Sequence, residues 1–295
     1  MFQLKDNPEA GLVFALQGED TNRLYSHLDE VAGTLGDESR RVLMCPIIGY
    51  GKTAALNAVF SLFDEVRPPE IVGWVDDDVV LGDGTLAAMI AATSGNNALQ
   101  VVGAKKVPVA YEGCIARAFL QFKRLARPEG TLVWPHGCAM LVRYSLIAEG
   151  IPLRYRGEDG FIVLSAFAET KAAEDQAVKV LDGTMCEHVV GGPGIEIPAR
   201  VIRTLFENSV LLADFPEAKS LMFARLAIFH GLYDPRAPLL ARVLGSAHYL
   251  FYCLIGIYLV TCGMLGRPKR SIRWSGYSTH NVPNGTGGIE SSRKN

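Results

Sequence analysis

Residues 70–78 read EIVGWVDDD, an apolar run of strand length that ends on three consecutive carboxylates, Asp76, Asp77 and Asp78. A short buried strand stopped abruptly by acidic residues predicts a sheet whose strand ends carry the chemistry. Working outward, residues 12–17 (LVFALQ) and 41–48 (RVLMCPII) read as two further strands, and 100–109 as another. Between them, 22–35, 52–63 and 85–92 carry helical patterns, the second with apolar residues at 55, 56, 59, 60 and 63. Alternating strands and helices predict an α/β fold, a mostly parallel Rossmann-like sheet flanked by helices. Ligands of such sheets gather at the carboxyl ends of the strands, where the three aspartates fall.

The chain has 295 residues, with 29 basic and 31 acidic side chains and a net charge of −2. That balance excludes an electrostatic nucleic-acid binder. At 49% hydrophobic and 20% charged, it forms a core. The six cysteines, at 45, 114, 138, 186, 253 and 262, make no CxxC pair, which excludes zinc-ribbon and redox-motif readings. Scattered free thiols fit a reducing, cytoplasmic catalytic domain.

A mean hydropathy of +0.17 is high for such a domain, and one block explains most of it. Residues 243–266 run for 24 positions without a formal charge, and a helix of that length spans roughly 36 Å, enough for a bilayer core. Arg267, Lys269, Arg270 and Arg273 follow directly, as on a cytoplasmic flank. We expect a C-terminal membrane helix there, preceded by interfacial, amphipathic helices over 216–242. A basic and then disordered tail follows over 267–295. A long buried helix is the alternative for 243–266.

The acidic cluster has two readings. Asp76 and Asp78, one residue apart at a strand end, can both approach a hard cation such as Mg²⁺ or Mn²⁺, which completes its shell with water and phosphate oxygens. A solvated acidic turn is the other. Gly51-Lys52-Thr53 upstream imitates a nucleotide-binding phosphate loop, but that motif needs glycine where Pro46 stands, and proline offers no N–H to a phosphate. Glu158-Asp159 precedes an apolar helical run and reads either as a helix cap or as a general base facing an acceptor. The small-residue turn around Gly137 lets backbone approach a ligand closely.

Taken in order, LVFALQGED, GKTAALN, VDDDV, HGCAMLVR and GEDGF resemble the family-2 inverting glycosyltransferases of the GT-A fold, most closely the membrane-bound branch containing ceramide-glucosyltransferase-like and polysaccharide-type enzymes. The resemblance covers about residues 10–215, the GT-A domain then being 1–215. It implies transfer of a sugar from a nucleotide-sugar donor to a hydroxyl of a lipid-linked or polysaccharide acceptor at a cell membrane. A divalent cation, Mg²⁺ or Mn²⁺, would assist. Carried over by position, Asp159 is the base, with Glu158 beside it in the catalytic pair. Asp20, Lys52, Asn57, Asp76 and Gly137 border the donor, and Asp78 and Asp76 bind the metal. His188 is the candidate for a late metal-binding histidine, or a plain strand-end histidine. Arg203, in an RVIRT stretch that departs from the family's [QR]xxRW, is a candidate phosphate clamp or a surface arginine.

Relatives open with a further strand and a PxYNE-like loop. Here MFQLKDNPEAGLVFALQ reads as the end of the following helix, a loop and the second strand, as a shortened gene model, a truncated copy or a genuine variant would give; if the opening strand is absent, an unpaired central sheet edge is expected. The alternatives to an active transferase are a P-loop-like nucleotide-binding protein and a catalytically inactive, membrane-associated remnant.

Overall fold

The computed structural model describes residues 10–17, 20–34, 36–37, 42–47, 51–64, 68–110, 135–155, 157–170, 174–190 and 196–216, with isolated positions between 239 and 261. Side chains at 108–110, 170, 174–175, 188–190 and 196–203 lie outside that description. So do most of the 216–242 and 243–266 segments and the whole 267–295 tail.

The elements run β1 (Leu12–Leu16), α1 (Thr21–Gly33), β2 (Val42–Pro46), α2 (Lys52–Asp64), β3 (Ile71–Val75), β4 (Val79–Leu81), α3 (Thr85–Ser94), β5 (Val101–Ala110) and β6 (Ala139–Arg143). They continue through α4 (Glu158–Thr170), α5 (Glu174–Ala177), β7 (Val178–Val190) and α6 (Glu196–Asp214). Each early strand and helix predicted from the sequence forms within about two residues of its expected ends.

The sheet is not mostly parallel, as its periodicity suggested. Among the described residues β1 and β2 form a separate two-stranded parallel sheet, and the five other strands lie in the order β3-β6-β5-β7-β4. In that sheet β5 and β7 pair in parallel, whereas β3–β6, β5–β6 and β4–β7 are antiparallel. The fold is therefore mixed α/β. The chain returns through β6 against the direction of β3 and β5, and β4 runs against β7; a pattern of apolar residues says nothing of strand direction.

The two-residue strand period divides the core between the faces of the five-stranded sheet. Val101, Met140 and Val142 face α2 and α4, packing with Leu56, Phe60, Ile162 and Val163. Val102, Ala104, Ala139 and Leu141 face α3, packing with Met89 and Leu99. Residues Val101, Val102 and Val142 are wholly buried, each stabilising the sheet by about 1.5–3 kcal/mol relative to exposure. Buried Arg143 locks the sheet's edge to α3. Its guanidinium donates to the carbonyls of Thr93 (2.7 Å) and Leu99 (3.1 Å) and pairs with Glu70 at 2.7 Å. The result is a rigid slab that fixes where β3 ends and where α2 and α4 begin.

Among the described residues no helix is long and apolar enough to cross a membrane. The described positions between 239 and 261 leave Leu239, Val243, Leu250, Leu254, Ile257 and Tyr258 exposed.

Candidate active site

Three chain segments converge at one end of the slab. Strand β3 delivers Asp76, whose N–H donates to the Cys138 carbonyl at 2.9 Å, so the acidic strand end is bonded to the turn that enters β6. Helix α2 begins with Lys52 and helix α4 with Glu158 and Asp159. Gln17, at the end of β1, donates its amide to the Gly51 carbonyl at 3.3 Å, drawing the small sheet towards the same helix start.

Lys52 joins the segments. Its ammonium stands 2.6 Å from Asp76 Oδ1 and 2.7 Å from Glu158 Oε1. It also donates to the Gly137 carbonyl, which accepts a second bond, at 2.8 Å, from the indole of Trp74. Gly137 must lack a side chain here: a Cβ would lie 2.4 Å from Glu158 Oε1 and 3.3 Å from Lys52 Nζ. The Gly137 N–H donates to Asp159 Oδ2 at 3.3 Å, and the Gly160 N–H to Asp159 Oδ1 at 2.8 Å. Both carboxylate oxygens are thus aimed by backbone, and each retains acceptor capacity for a proton from outside.

The electrostatics follow from burial. Glu158 is only 5% exposed. Desolvation raises its pKa to about 6, with Lys52 opposing the rise and Asp159 adding to it. Burial also pushes the Asp76 carboxyl above its ordinary range; Lys52 opposes this, and Asp78 and Asp77 push it further. For Lys52, desolvation favours the neutral amine, but attraction to Glu158 and Asp76 outweighs it, so the ammonium is held above its usual pKa.

The residues fit a hard dication. Repulsion from Asp77 and Asp78 at Asp76 is the unfavourable interaction that a cation relieves, and the carboxylate oxygens suit Mg²⁺ or Mn²⁺. The β4–β7 register sets His188 opposite Val79, the residue after Asp78, although the His188 side chain is outside the description. No group of three ligating side chains occurs among the described residues. Two carboxylates with phosphate and water completing the shell remain a sufficient holder for Mg²⁺.

Other expected residues fall elsewhere. Asn57 bonds to backbone: Nδ2 donates to the Ile151 carbonyl at 2.7 Å, and Oδ1 accepts from the Ile151 N–H at 2.8 Å, tying α2 to the 151–155 segment. Asp20 is exposed at the start of α1 and is not among the groups bonded to Lys52. The Arg203 side chain lies outside the described residues. Thr53, whose counterpart in a phosphate loop would face a metal, is buried and donates to the Tyr155 carbonyl at 2.7 Å. The site therefore lacks that motif's chemistry as well as its first glycine. Sequence reasoning missed Trp74, although it shares a strand face with Asp76 by the two-residue period.

No family model matches the chain, and no curated protein matches it in sequence. Solved structures do match in fold. A mannosyltransferase from Pyrobaculum calidifontis, in complex with GDP-Man and Mn²⁺, is 18% identical, with 87% of this chain and 70% of that one aligned at a TM-score of 0.50. Glucosyl-3-phosphoglycerate synthase from Mycobacterium tuberculosis also matches. With Mn²⁺, UDP and glucosyl-3-phosphoglycerate bound it is 17% identical over 70% of this chain and 69% of that one, with a TM-score of 0.40. Its complex with Mg²⁺ and UDP is 15% identical over 73% and 83%, with a TM-score of 0.39. The fold is that of the GT-A type glycosyltransferases.

Proposed function

We propose that the chain transfers a sugar from a nucleotide-sugar donor to an acceptor hydroxyl, with inversion, assisted by Mg²⁺ or Mn²⁺. One observation carries this reading. The Lys52 ammonium brings the acidic end of β3 and the Glu158-Asp159 pair at the head of α4 onto a single glycine turn. A charge-rich strand end facing a backbone-aimed carboxylate is what displacement between a diphosphate and a hydroxyl requires.

In this reading Asp159 accepts the acceptor's hydroxyl proton. The acceptor oxygen forms a bond to the sugar's anomeric carbon as the bond from that carbon to the diphosphate oxygen breaks, and the nucleoside diphosphate departs with the electron pair. Asp76 and Asp78, with His188 as a further candidate ligand, would hold the cation, which would supply positive charge against that developing on the diphosphate. Lys52 supplies fixed positive charge beside it and sets the spacing of the two acidic segments. Glu158 holds Lys52 in place from its buried position. Gly137 keeps the turn low enough for a ligand and the Glu158 carboxylate to share the space.

A lipid-linked or polysaccharide acceptor and a membrane location are part of the proposal. Their support is the uncharged 243–266 stretch, its basic flank, and the apolar side chains exposed at 239, 243, 250, 254, 257 and 258. Titrating the protein with a panel of nucleotide-sugars, with and without Mn²⁺, tests the reading. Mn²⁺-dependent binding of at least one donor and its slow hydrolysis are expected. ATP or GTP turnover abolished by Lys52→Ala would instead favour a nucleotide hydrolase, and a folded protein that binds no donor would be an inactive remnant.

A further inference from the structure

Gly157, immediately ahead of the catalytic pair, has carboxylates on two sides. A Cβ built on it stands 3.1 Å from Glu207 Oε2 and 3.6 Å from Asp159 Oδ1. The glycine thereby keeps open a passage between a carboxylate on α6 and the proposed base at the head of α4. A small cleft opens at the same place, walled by Arg154, Tyr155, Phe206, Glu207 and Val210. Its volume is about 30 Å³, above the roughly 10–15 Å³ that admits a single water.

The walls are held firmly. Tyr155 stacks on Phe161 at 4.6 Å, Phe161 meets Phe215 edge-on at 6.0 Å, and the Tyr155 hydroxyl donates to Asp214. Arg154 Nε donates to the same Asp214 carboxylate at 3.1 Å, which offsets part of the charge it brings to the cleft wall. The C-terminal end of α6 is therefore clamped to the 154–155 segment, and Glu207 is carried on the stretch of helix beside Gly157.

We propose, resting on the transfer reaction above, that Glu207 is a specificity-determining residue of the acceptor subsite. The cleft seats one hydroxyl or hydroxymethyl arm of a neutral, polyhydroxylated acceptor, next to the hydroxyl that reacts at Asp159. Charge points this way. An ionised carboxylate is an acceptor-only group matched to hydroxyl donors, and a phosphorylated arm would bring negative charge between Glu207 and Asp159.

The test uses the full chain with Mn²⁺ and whichever nucleotide-sugar it hydrolyses. Acceptors are methyl α-mannopyranoside and methyl α-glucopyranoside, their 6-phosphates, and 3-phosphoglycerate. Neutral glycosides are expected to be used with kcat/KM at least tenfold above the phosphorylated compounds. Glu207→Gln should raise the neutral acceptor's KM tenfold or more while changing kcat less than threefold. Val210→Phe, which fills the cleft without altering charge, should raise the same KM. Preference for a phosphorylated acceptor, donor hydrolysis with no transfer to either neutral glycoside, or an unchanged acceptor KM in both variants overturns the inference alone. Absence of any donor binding with Mn²⁺ overturns the transfer reading and this inference with it.

Discussion

The Lys52 ammonium lies 2.7 Å from Glu158 Oε1, joining the first residue of α2 to the first residue of α4. The pair is unequal: the Glu158 side chain is 7% exposed and that of Lys52 31%. Removing the lysine strands a buried carboxylate, and that desolvation is the main loss. Lys52→Met should cost about 2–3 kcal/mol, below the range for fully enclosed pairs because the ammonium is partly solvated. Urea unfolding at pH 7 measures it. The double variant Lys52→Met/Glu158→Gln should recover more than half, since it removes the stranded charge.

The raised pKa of Glu158, about 6, makes stability depend on pH. Its folded pKa exceeds the unfolded value, so between the two the folded state binds more protons and stability falls as pH rises. The contribution is fully present below about pH 4.5 and lost by pH 7, about 2 kcal/mol in all. Asp76, also raised, adds a fall of the same sign. Glu158→Gln should flatten the profile between pH 4.5 and 7 in denaturant melts without divalent cations. A variant with the wild-type slope would place the proton elsewhere.

Much of this arrangement was legible in the sequence, for physical reasons. Strand β3 and its aspartates announce themselves because a buried strand must be apolar and must end where charge begins. Helix α2 is visible because its stripe of Ala55, Leu56, Val59 and Phe60 repeats at the helical period. Strand direction was not legible: Ala139–Arg143 has the same apolar pattern whether it runs with β3 or against it. The three-residue β4 lies between the aspartates and the Gly82-Asp83-Gly84 turn, too short for any period to show. Asn57 was assigned to the donor by motif position, but which backbone its amide meets depends on how the 151–155 segment folds back. Glu207 had no local signal at all, because its neighbour Gly157 is brought to it only by the packing of α6 on α4.

Gly137 tests how tightly the turn is fitted. Gly137→Ala puts a methyl group 2.4 Å from Glu158 Oε1, inside any tolerated contact. The carboxylate must shift and its bond to Lys52 lengthen. We expect a loss of about 1–3 kcal/mol, typical of overpacking, together with a donor turnover lower by tenfold or more. Thermal melts and donor-hydrolysis rates on the same sample read both effects.

Asn57 separates motif position from structural role. Asn57→Leu removes both bonds to the Ile151 backbone and leaves its buried N–H and carbonyl without that partner. The expected cost is about 2 kcal/mol in unfolding free energy, with the affinity for donor within twofold of wild type. A large loss of donor affinity with unchanged stability would return Asn57 to the donor pocket.

The roles of the two acidic segments are separable by which step they impair. Asp159 is aimed by the N–H groups of Gly137 and Gly160 and, in the proposed reaction, takes the acceptor's proton. Asp159→Asn keeps one acceptor oxygen for those N–H groups, turns the other into an amide NH2 that cannot accept, and removes the basicity. Transfer should therefore fall by about 10²–10⁴-fold, while nucleotide-sugar affinity, measured by calorimetry with Mn²⁺, stays within threefold. Asp78→Ala should do the reverse at the binding stage: heat of donor binding in Mn²⁺ falls towards that seen without metal, because the cation would lose one of its two proposed carboxylates. If Asp159→Asn turns over at the wild-type rate, the base lies elsewhere. If donor binding to Asp78→Ala keeps its full Mn²⁺ dependence, the cation is held by groups other than the end of β3.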